Sequence, residues 1–152
     1  MTDGPARPTH DEGRLLAGFP HAEEIGMRAH PAAEGAALIS IPYAEKLVGD
    51  VETGVVHGGV ITTLLDTGCG LAAIRRTGLP GGIATLDLRI DYMRPARAER
   101  ALWAACECYR VTRSVAFARG VAYDDDPDDP VATAAGAFMI TGRITGRARK
   151  DG

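Results

Sequence analysis

The sequence predicts an α+β fold in which an antiparallel β-sheet wraps around one long central helix at about residues 58–76. Residues 62–74 form the longest proline-free apolar run, relieved only by small or hydroxyl residues and Asp66, and the apolar positions recur at helical spacing. Four strand-like segments follow with short connections, which favours an antiparallel meander. One face of such a sheet must be buried, and the long helix is the element available to pack against it.

Two strands are predicted before the helix. Residues 36–43 alternate between apolar and other positions, and a weaker strand at residues 25–30 precedes them across a loop at residues 31–35. A connection at residues 44–54 then leads to the helix. The apolar face of the stronger strand consists of Ala37, Ile39, Ile41 and Tyr43.

After the helix, residues 85–93 alternate cleanly, which predicts a half-buried strand. The predicted apolar face consists of Leu86, Leu88, Ile90 and Tyr92, and the opposite face of Thr85, Asp87, Arg89 and Asp91. Three further strands are predicted at residues 101–109, 115–123 and 131–141.

A length of 152 residues predicts a single domain, which we place at residues 14–141. Residues 1–13 are rich in proline, glycine, alanine and charge, and residues 142–152 are basic and glycine-rich, so both are predicted to be flexible tails. The apolar content of 45% is that of an ordinary soluble globular protein.

Several classes of function and location are disfavoured. The net charge of -3 and the lack of a basic stripe argue against nucleic-acid binding. No run approaches membrane-spanning length and no signal-peptide core is present, so a cytoplasmic protein without membrane attachment is expected. Cys69, Cys106 and Cys108 are expected to be reduced, and because Cys106-x-Cys108 lacks a second pair, no metal site is expected.

His57, Gly58 and Gly59 stand at the predicted start of the helix, and Asp66 lies within it. A free backbone N–H at a helix N-terminus, such as that of Gly58, stabilises negative charge developing on an oxygen. Burying a carboxylate in an apolar helix costs free energy, so the presence of Asp66 calls for an explanation. Nucleophilic or general-base catalysis is one explanation. Taken singly, each residue also has a structural interpretation, namely a cap, a tight turn or a buried acceptor.

The spacing of Gly58 and Asp66 bears on the assembly. Asp66 follows Gly58 by eight residues, which is roughly 12 Å along a helix axis. One substrate carbonyl cannot easily meet both groups of one chain, so they are expected to cooperate only across a subunit interface. The mostly apolar helix and the exposed sheet edges also predict a homo-oligomer.

These residues carry a family resemblance. The motif Gly54-x-x-His57-Gly58-Gly59-x-x-x-x-Leu64-x-Asp66, followed by a strand that ends Tyr92-Met-Arg-Pro95-Ala96, resembles the hotdog-fold acyl-CoA thioesterases. It is most similar to the phenylacetate-degradation (PaaI-type) branch of the 4-hydroxybenzoyl-CoA thioesterase superfamily, over about residues 36–140. The resemblance implies homodimers joined edge to edge, often paired into homotetramers, that hydrolyse acyl-CoA between subunits. It implies no metal and no cofactor apart from the CoA of the substrate.

The resemblance also implies catalytic roles. Asp66 would serve as nucleophile or as general base for water, and the Gly58 N–H would polarise the thioester carbonyl. His57 would orient this region or the substrate. Thr85 falls where the family often carries a serine or threonine near the attacking group.

Gly59, Asp50, Arg94 and Arg113 are the predicted substrate-binding residues. The two arginines lie near strand ends, where the phosphates of CoA need contacts, and solvated surface arginines are the alternative. Relatives carry an asparagine a few residues before the histidine. Val51 stands at that position here, and Asp50 takes the place of the amide if the loop is one residue longer.

Three functions stay open at this stage. An acyl-CoA thioesterase is favoured by the histidine–glycine–glycine motif and its spacing to the aspartate. A non-catalytic hotdog protein that binds acyl-CoA or a related ligand is the second, because the asparagine is missing. A hydratase or dehydratase is less favoured, because its usual histidine with a downstream glutamate is not evident.

Overall fold

The structure is a computed structural model that describes Leu16 and residues 18–79 and 82–142. The tail predicted at residues 1–13, and that at residues 142–152 apart from its first residue, lie outside the described part. The described elements, in chain order, are α1 (Pro20–Glu24), β1 (Arg28–His30), β2 (Ala36–Ile41), a 3₁₀ turn (Glu45–Leu47), β3 (Val48–Asp50), β4 (Val55–Val56), α2 (Gly58–Thr77), β5 (Ile83–Tyr92), β6 (Leu102–Val111), β7 (Val115–Tyr123) and β8 (Ala132–Ile140).

Six of the strands form one antiparallel sheet in the order β1-β2-β6-β7-β8-β5, with α2 packed against β2, β5, β6, β7 and β8. The predicted α+β architecture is therefore confirmed. The predicted four-strand meander is wrong, because β5 pairs with β8 and not with β6. The edge of β6 that β5 would need is taken by β2, so β5 joins the free edge of β8.

Helix α2 covers one face of the sheet. Its buried residues recur along one broad face and are mostly apolar, so it supplies the centre of the core. The helix ends at Gly78, which adopts φ 69° and donates its N–H to the Ile74 carbonyl oxygen at 2.7 Å. Arg75 and Arg76 in the last turn complement the helix dipole.

A β-bulge changes the faces of β5. The register shifts between Thr85, opposite Phe138, and Asp87, opposite Ala137. Leu88 then lies opposite Gly136, so Thr85 and Leu88 share the face that points to α2. The strict alternation predicted for this strand was wrong here: Thr85 faces the helix, and Leu86 is 53% exposed.

The loops at one end of the sheet are tied together by Asp124, whose side chain is fully buried. It accepts hydrogen bonds from the Arg94 guanidinium at 2.8 and 3.0 Å and from the Arg97 backbone N–H at 2.7 Å. The Arg94 hydrogen bonds are the main cause that lowers the pKa of Asp124 from 3.8 to about 2. The pair joins the β5–β6 connection to the β7–β8 connection.

We expect Asp124→Asn to lower the free energy of unfolding at pH 7 by about 2–4 kcal/mol, because it breaks a buried ion pair. The folded-state pKa lies below the ordinary value, so this stability is present above about pH 4 and is lost as the pH falls towards about 2. Urea unfolding at several pH values measures both effects. Asp125→Asn is the matched control, since the Asp125 side chain is 60% exposed and its contacts with arginines are 3.6 Å long. Equal losses in the two variants would contradict the role given to Asp124.

Candidate active site

His57 is the N-cap of α2. Its Nδ1 accepts a hydrogen bond from the Gly59 backbone N–H at 2.9 Å, which makes Nε2 the protonated nitrogen of the neutral ring. The short hairpin β3–β4 leads into this cap, and the His57 N–H donates to the Leu47 carbonyl oxygen at 2.9 Å. A Cβ at position 59 would lie 2.9 Å from Nδ1, so the cap requires glycine there. The predicted substrate contact of Gly59 stays a prediction.

Gly58 is the first residue of α2, and its N–H meets no acceptor among the residues that the structure describes. A Cβ at this position would make only ordinary contacts, at 3.6 Å or more, with the Tyr92 ring. The chain itself therefore does not require glycine at position 58. A free donor beside a residue without a side chain suits an oxygen that approaches from outside.

Tyr92, at the end of β5, supports the start of the helix, which sequence reasoning did not foresee. Its hydroxyl donates to the Gly58 carbonyl oxygen at 3.1 Å and lies 2.6 Å from Thr62 Oγ1. Thr62 Oγ1 in turn donates to the same carbonyl oxygen at 3.3 Å. Gly58 is thus held between the His57 cap and two hydroxyl groups. The sequence assigned Tyr92 to the apolar face of β5. A tyrosine hydroxyl on that face was the signal that could have predicted a hydrogen bond to the helix.

Asp66 and Thr85 are brought together, as predicted. The Thr85 hydroxyl donates to Asp66 Oδ1 at 2.8 Å, from β5 to α2. Asp66 is half-buried, and its Oδ2 receives no hydrogen bond from any described residue. One carboxylate oxygen is therefore fixed, and the other is available to a water molecule or to a substrate.

Asp66 and His57 line separate cavities. The Asp66 cavity, of about 340 Å³, is lined by Leu16, Phe19, Asp66, Thr67, Gly70, Leu71, Ile74, Ile83, Thr85 and Phe138. The cavity at His57, of about 380 Å³, is lined by His21, Ile25, Lys46, Leu47, Val48, His57, Gly59, Val60 and Thr63. The two share no residue. A larger groove of about 630 Å³, around Ala105 on the sheet, contains none of the predicted site residues. We therefore assign the site to the smaller cavity that contains Asp66 and Thr85.

The Asp50 side chain makes its hydrogen bonds within a local turn. Its carboxylate accepts hydrogen bonds from the Thr53 hydroxyl at 2.7 Å and from the Glu52 N–H at 3.1 Å. These two bonds, with that of Thr53 the larger cause, lower the pKa of Asp50. Val51 is 90% exposed. The predicted replacement of an amide by Asp50 stays a prediction, and the structure gives this carboxylate a turn-forming role.

The two predicted phosphate-binding arginines lie at opposite ends of β8. Arg94 donates its N–H to the Val131 carbonyl oxygen, and Arg113 precedes Ser114, whose carbonyl oxygen accepts from the Ile140 N–H. A strand of this length separates them by roughly 27 Å. Arg94 is bound to Asp124, whereas Arg113 is exposed in the β6–β7 turn. Their predicted contact with CoA phosphates stays a prediction.

All three cysteines are free and buried. Within the described residues, no three His, Cys, Asp or Glu side chains are grouped so that they could hold a metal ion. No helix in that same part of the chain is both long and apolar enough to cross a membrane.

Comparisons with known proteins are consistent across sequence and structure. Residues 53–131 match the family described as the thioesterase superfamily. A Halobacterium salinarum protein is 43% identical over 81 residues, which are 49% of this chain and 52% of that protein, so the match spans about half of the relative. The Escherichia coli K12 protein named medium/long-chain acyl-CoA thioesterase YigI is 28% identical over 80% of this chain and 86% of its own.

Two solved structures show the same fold. A crystal structure of a Pseudomonas aeruginosa protein is 45% identical, with a TM-score of 0.74, and the match covers 84% of this chain and 95% of that one. A mutant of the phenylacetic acid degradation protein PaaI from Thermus thermophilus is 26% identical, with a TM-score of 0.69, over 80% of this chain and 98% of that one. The predicted hotdog fold and PaaI-type resemblance are thereby confirmed.

Proposed function

The chain belongs to the thioesterase superfamily, and from this premise we propose that it hydrolyses acyl-CoA thioesters to a free acid and CoA. The observation that carries the proposal is the Asp66 carboxylate, held by Thr85 at the wall of a largely apolar cavity. A thioester carbonyl is already activated and its thiolate leaves readily, so one carboxylate with an oxyanion donor suffices for hydrolysis.

Asp66 acts as general base or as nucleophile in this proposal. As a base, its free Oδ2 takes a proton from water while the water oxygen attacks the carbonyl carbon, and the C–S bond then breaks. The departing thiolate receives a proton to give CoA. As a nucleophile, Oδ2 attacks the same carbon, the C–S bond breaks to release the CoA thiolate, which takes up a proton, and water then hydrolyses the resulting mixed anhydride to the free acid and Asp66. Thr85 holds Oδ1 and so aims the carboxylate in either route.

The Gly58 N–H supplies the oxyanion donor, and we place it on a different subunit from the attacking Asp66. Two observations support this placement. His57 and Gly59, the neighbours of Gly58, line a different cavity from Asp66 in one chain, and β5 is an edge strand of the described sheet. Three large apolar side chains on or beside β5 are more than half exposed, namely Leu86, Tyr92 and Met93. Pairing of two β5 edges in a homodimer, or in a homotetramer built from it, covers them.

Tyr92→Phe is expected to lower kcat for acyl-CoA hydrolysis by about 10-fold with little change in KM, because the Gly58 donor loses a support that fixes its position. The ring is kept, so the melting temperature should change little. Tyr109→Phe is the matched control, since Tyr109 is equally exposed, at 52%, and its ring contacts Phe117 and Arg119 on the sheet. A fall in melting temperature that accounts for the lost activity would show a merely structural role for Tyr92.

For the acyl group we propose medium to long apolar chains. The wall of the Asp66 cavity is dominated by apolar side chains, including Phe19, Ile74 and Phe138. The relative that aligns over 80% of this chain is named for medium- and long-chain acyl-CoA. A cytoplasmic location, where acyl-CoA is made and used, stays part of the proposal.

Release of free thiol from a series of acyl-CoA substrates, from acetyl to palmitoyl and including phenylacetyl, tests the proposal directly. We expect turnover with a preference for the longer chains. The alternative is a protein that binds acyl-CoA without efficient turnover, and the exposed Val51 and turn-bound Asp50 favour it. Tight binding with no thiol release for any chain would support the alternative and overturn the thioesterase proposal.

A further inference from the structure

Gly70 lies in the interior of α2, four residues after Asp66. Glycine there destabilises a helix relative to alanine, because the unfolded chain has more conformational freedom to lose. A glycine at such a position usually reflects close packing or a functional need for space.

Packing explains a neighbouring glycine but not this one. A Cβ at position 68 would lie 2.7 Å from Cys106 Sγ and 3.3 Å from Ile39 Cδ1, so Gly68 is required where the helix meets the sheet. A Cβ at position 70 would meet only Phe138 Cε1, at an ordinary 3.7 Å. The chain's own core therefore accepts a larger residue at position 70.

The space beside Gly70 belongs to the Asp66 cavity. Gly70 and Phe138 both line it, together with Asp66 and Thr85. Side chains on a helix tilt towards its N-terminus, so a side chain at position 70 would extend over the turn that carries Asp66. It would occupy the volume next to the carboxylate and against the Phe138 ring.

We propose that Gly70 determines the size of the acyl group that binds beside Asp66. The inference rests on the proposed function, since it takes the acyl group of the substrate as the occupant of this cavity. Each added methyl group at position 70 removes volume from the acyl site. Longer or wider acyl groups should be excluded first, while short ones still reach Asp66.

The stability of two alanine variants tests the first half of the argument. Gly70→Ala should raise the melting temperature by about 2–4 °C, because the cavity has room for the methyl group. Gly68→Ala, the matched control on the same helix, should lower it, because its methyl group collides with Cys106. A Gly70→Ala variant that is less stable than the wild type, or that changes oligomeric state, would show that packing requires the glycine and would overturn the inference.

The acyl-chain profile tests the second half. We would measure kcat/KM for acetyl- to palmitoyl-CoA in the wild type and in Gly70→Ala, Gly70→Val and Gly70→Leu. The longest accepted chain should shorten stepwise with side-chain size, and the excluded substrates should lose about 10- to 200-fold per step. Acetyl-CoA should lose the least activity of the series, because its acyl group needs the least space. Profiles of the same shape in all four proteins would overturn the inference.

Binding measurements separate this inference from the proposed function. The same Gly70 substitutions are placed in an Asp66→Asn background, and the Kd of each acyl-CoA is measured by calorimetry. If the wild type releases no thiol from any acyl-CoA, the proposed hydrolysis fails, and the chain-length dependence of Kd still decides the role of Gly70. A Kd series that is unaffected by the size of residue 70 would overturn the inference independently of turnover.

Discussion

Replacing Asp66 by asparagine is expected to lower kcat for acyl-CoA hydrolysis by about 10²- to 10⁴-fold, with KM changed only slightly. Asparagine keeps the shape of the side chain and can still accept the Thr85 hydroxyl hydrogen bond. It cannot take a proton from water, and its amide oxygen is a poor nucleophile. The loss should therefore fall on the chemical step and not on binding of the acyl group.

Steady-state kinetics with a good acyl-CoA substrate measure this effect. Asp128→Asn is the matched control, because it makes the same chemical change in the exposed β7–β8 loop and should leave kcat within about twofold. Circular dichroism and melting temperature show that Asp66→Asn is folded. Wild-type turnover in a folded Asp66→Asn protein would remove Asp66 from the mechanism.

The central helix was predictable because two independent signals coincide along it. Apolar periodicity placed the helix at about residues 58–76, and the structure extends it by one residue to Thr77. His57 and Gly78 mark its ends with a side-chain cap and a left-handed residue. Helix caps depend on residues that are adjacent in sequence, so they can be predicted without knowing the fold.

The order of the strands and the faces of their residues were harder to predict from the sequence, because they depend on contacts between residues far apart in the chain. The connection from β5 to β6 spans residues 93–101, which is long enough for β5 to reach β8 at the far edge. The bulge after Thr85 adds a residue, so a period of two assigns that threonine to the wrong face. The resemblance nevertheless placed Thr85 near the attacking group, since it relied on position and not on alternation.

The arginine that follows β5 shows a tertiary contact that the sequence does not reveal. Arg94 near a strand end suits a phosphate, and nothing local argues against that role. Its partner is Asp124, 30 residues later, and the pair forms only when two loops meet. The guanidinium also donates to the Asp129 carbonyl oxygen at 2.8 Å. A sequence alone does not show which of two distant charges an arginine will meet.

Gly58→Pro is expected to lower kcat by about 10²- to 10³-fold, because it deletes the proposed oxyanion donor. Proline suits the first position of a helix, and His57 before it already has extended backbone angles, φ -60° and ψ 136°. The substitution should therefore remove the N–H without unfolding the helix. Gly58→Ala is the control, since it adds a Cβ in the same place and retains the donor. A Gly58→Pro protein as active as Gly58→Ala would exclude the donor role.

Mixing the two inactive variants then tests whether the site is shared between subunits. A heterodimer of an Asp66→Asn chain and a Gly58→Pro chain has one site with both groups intact and one site with neither. Random assembly of equal amounts in dimers should therefore restore about a quarter of wild-type activity. If Gly58 and Asp66 of the same chain act together, every site carries one defect and mixing restores nothing. Restored activity would thus place the donor and the carboxylate on different subunits, as their separation of roughly 12 Å along the helix axis predicts.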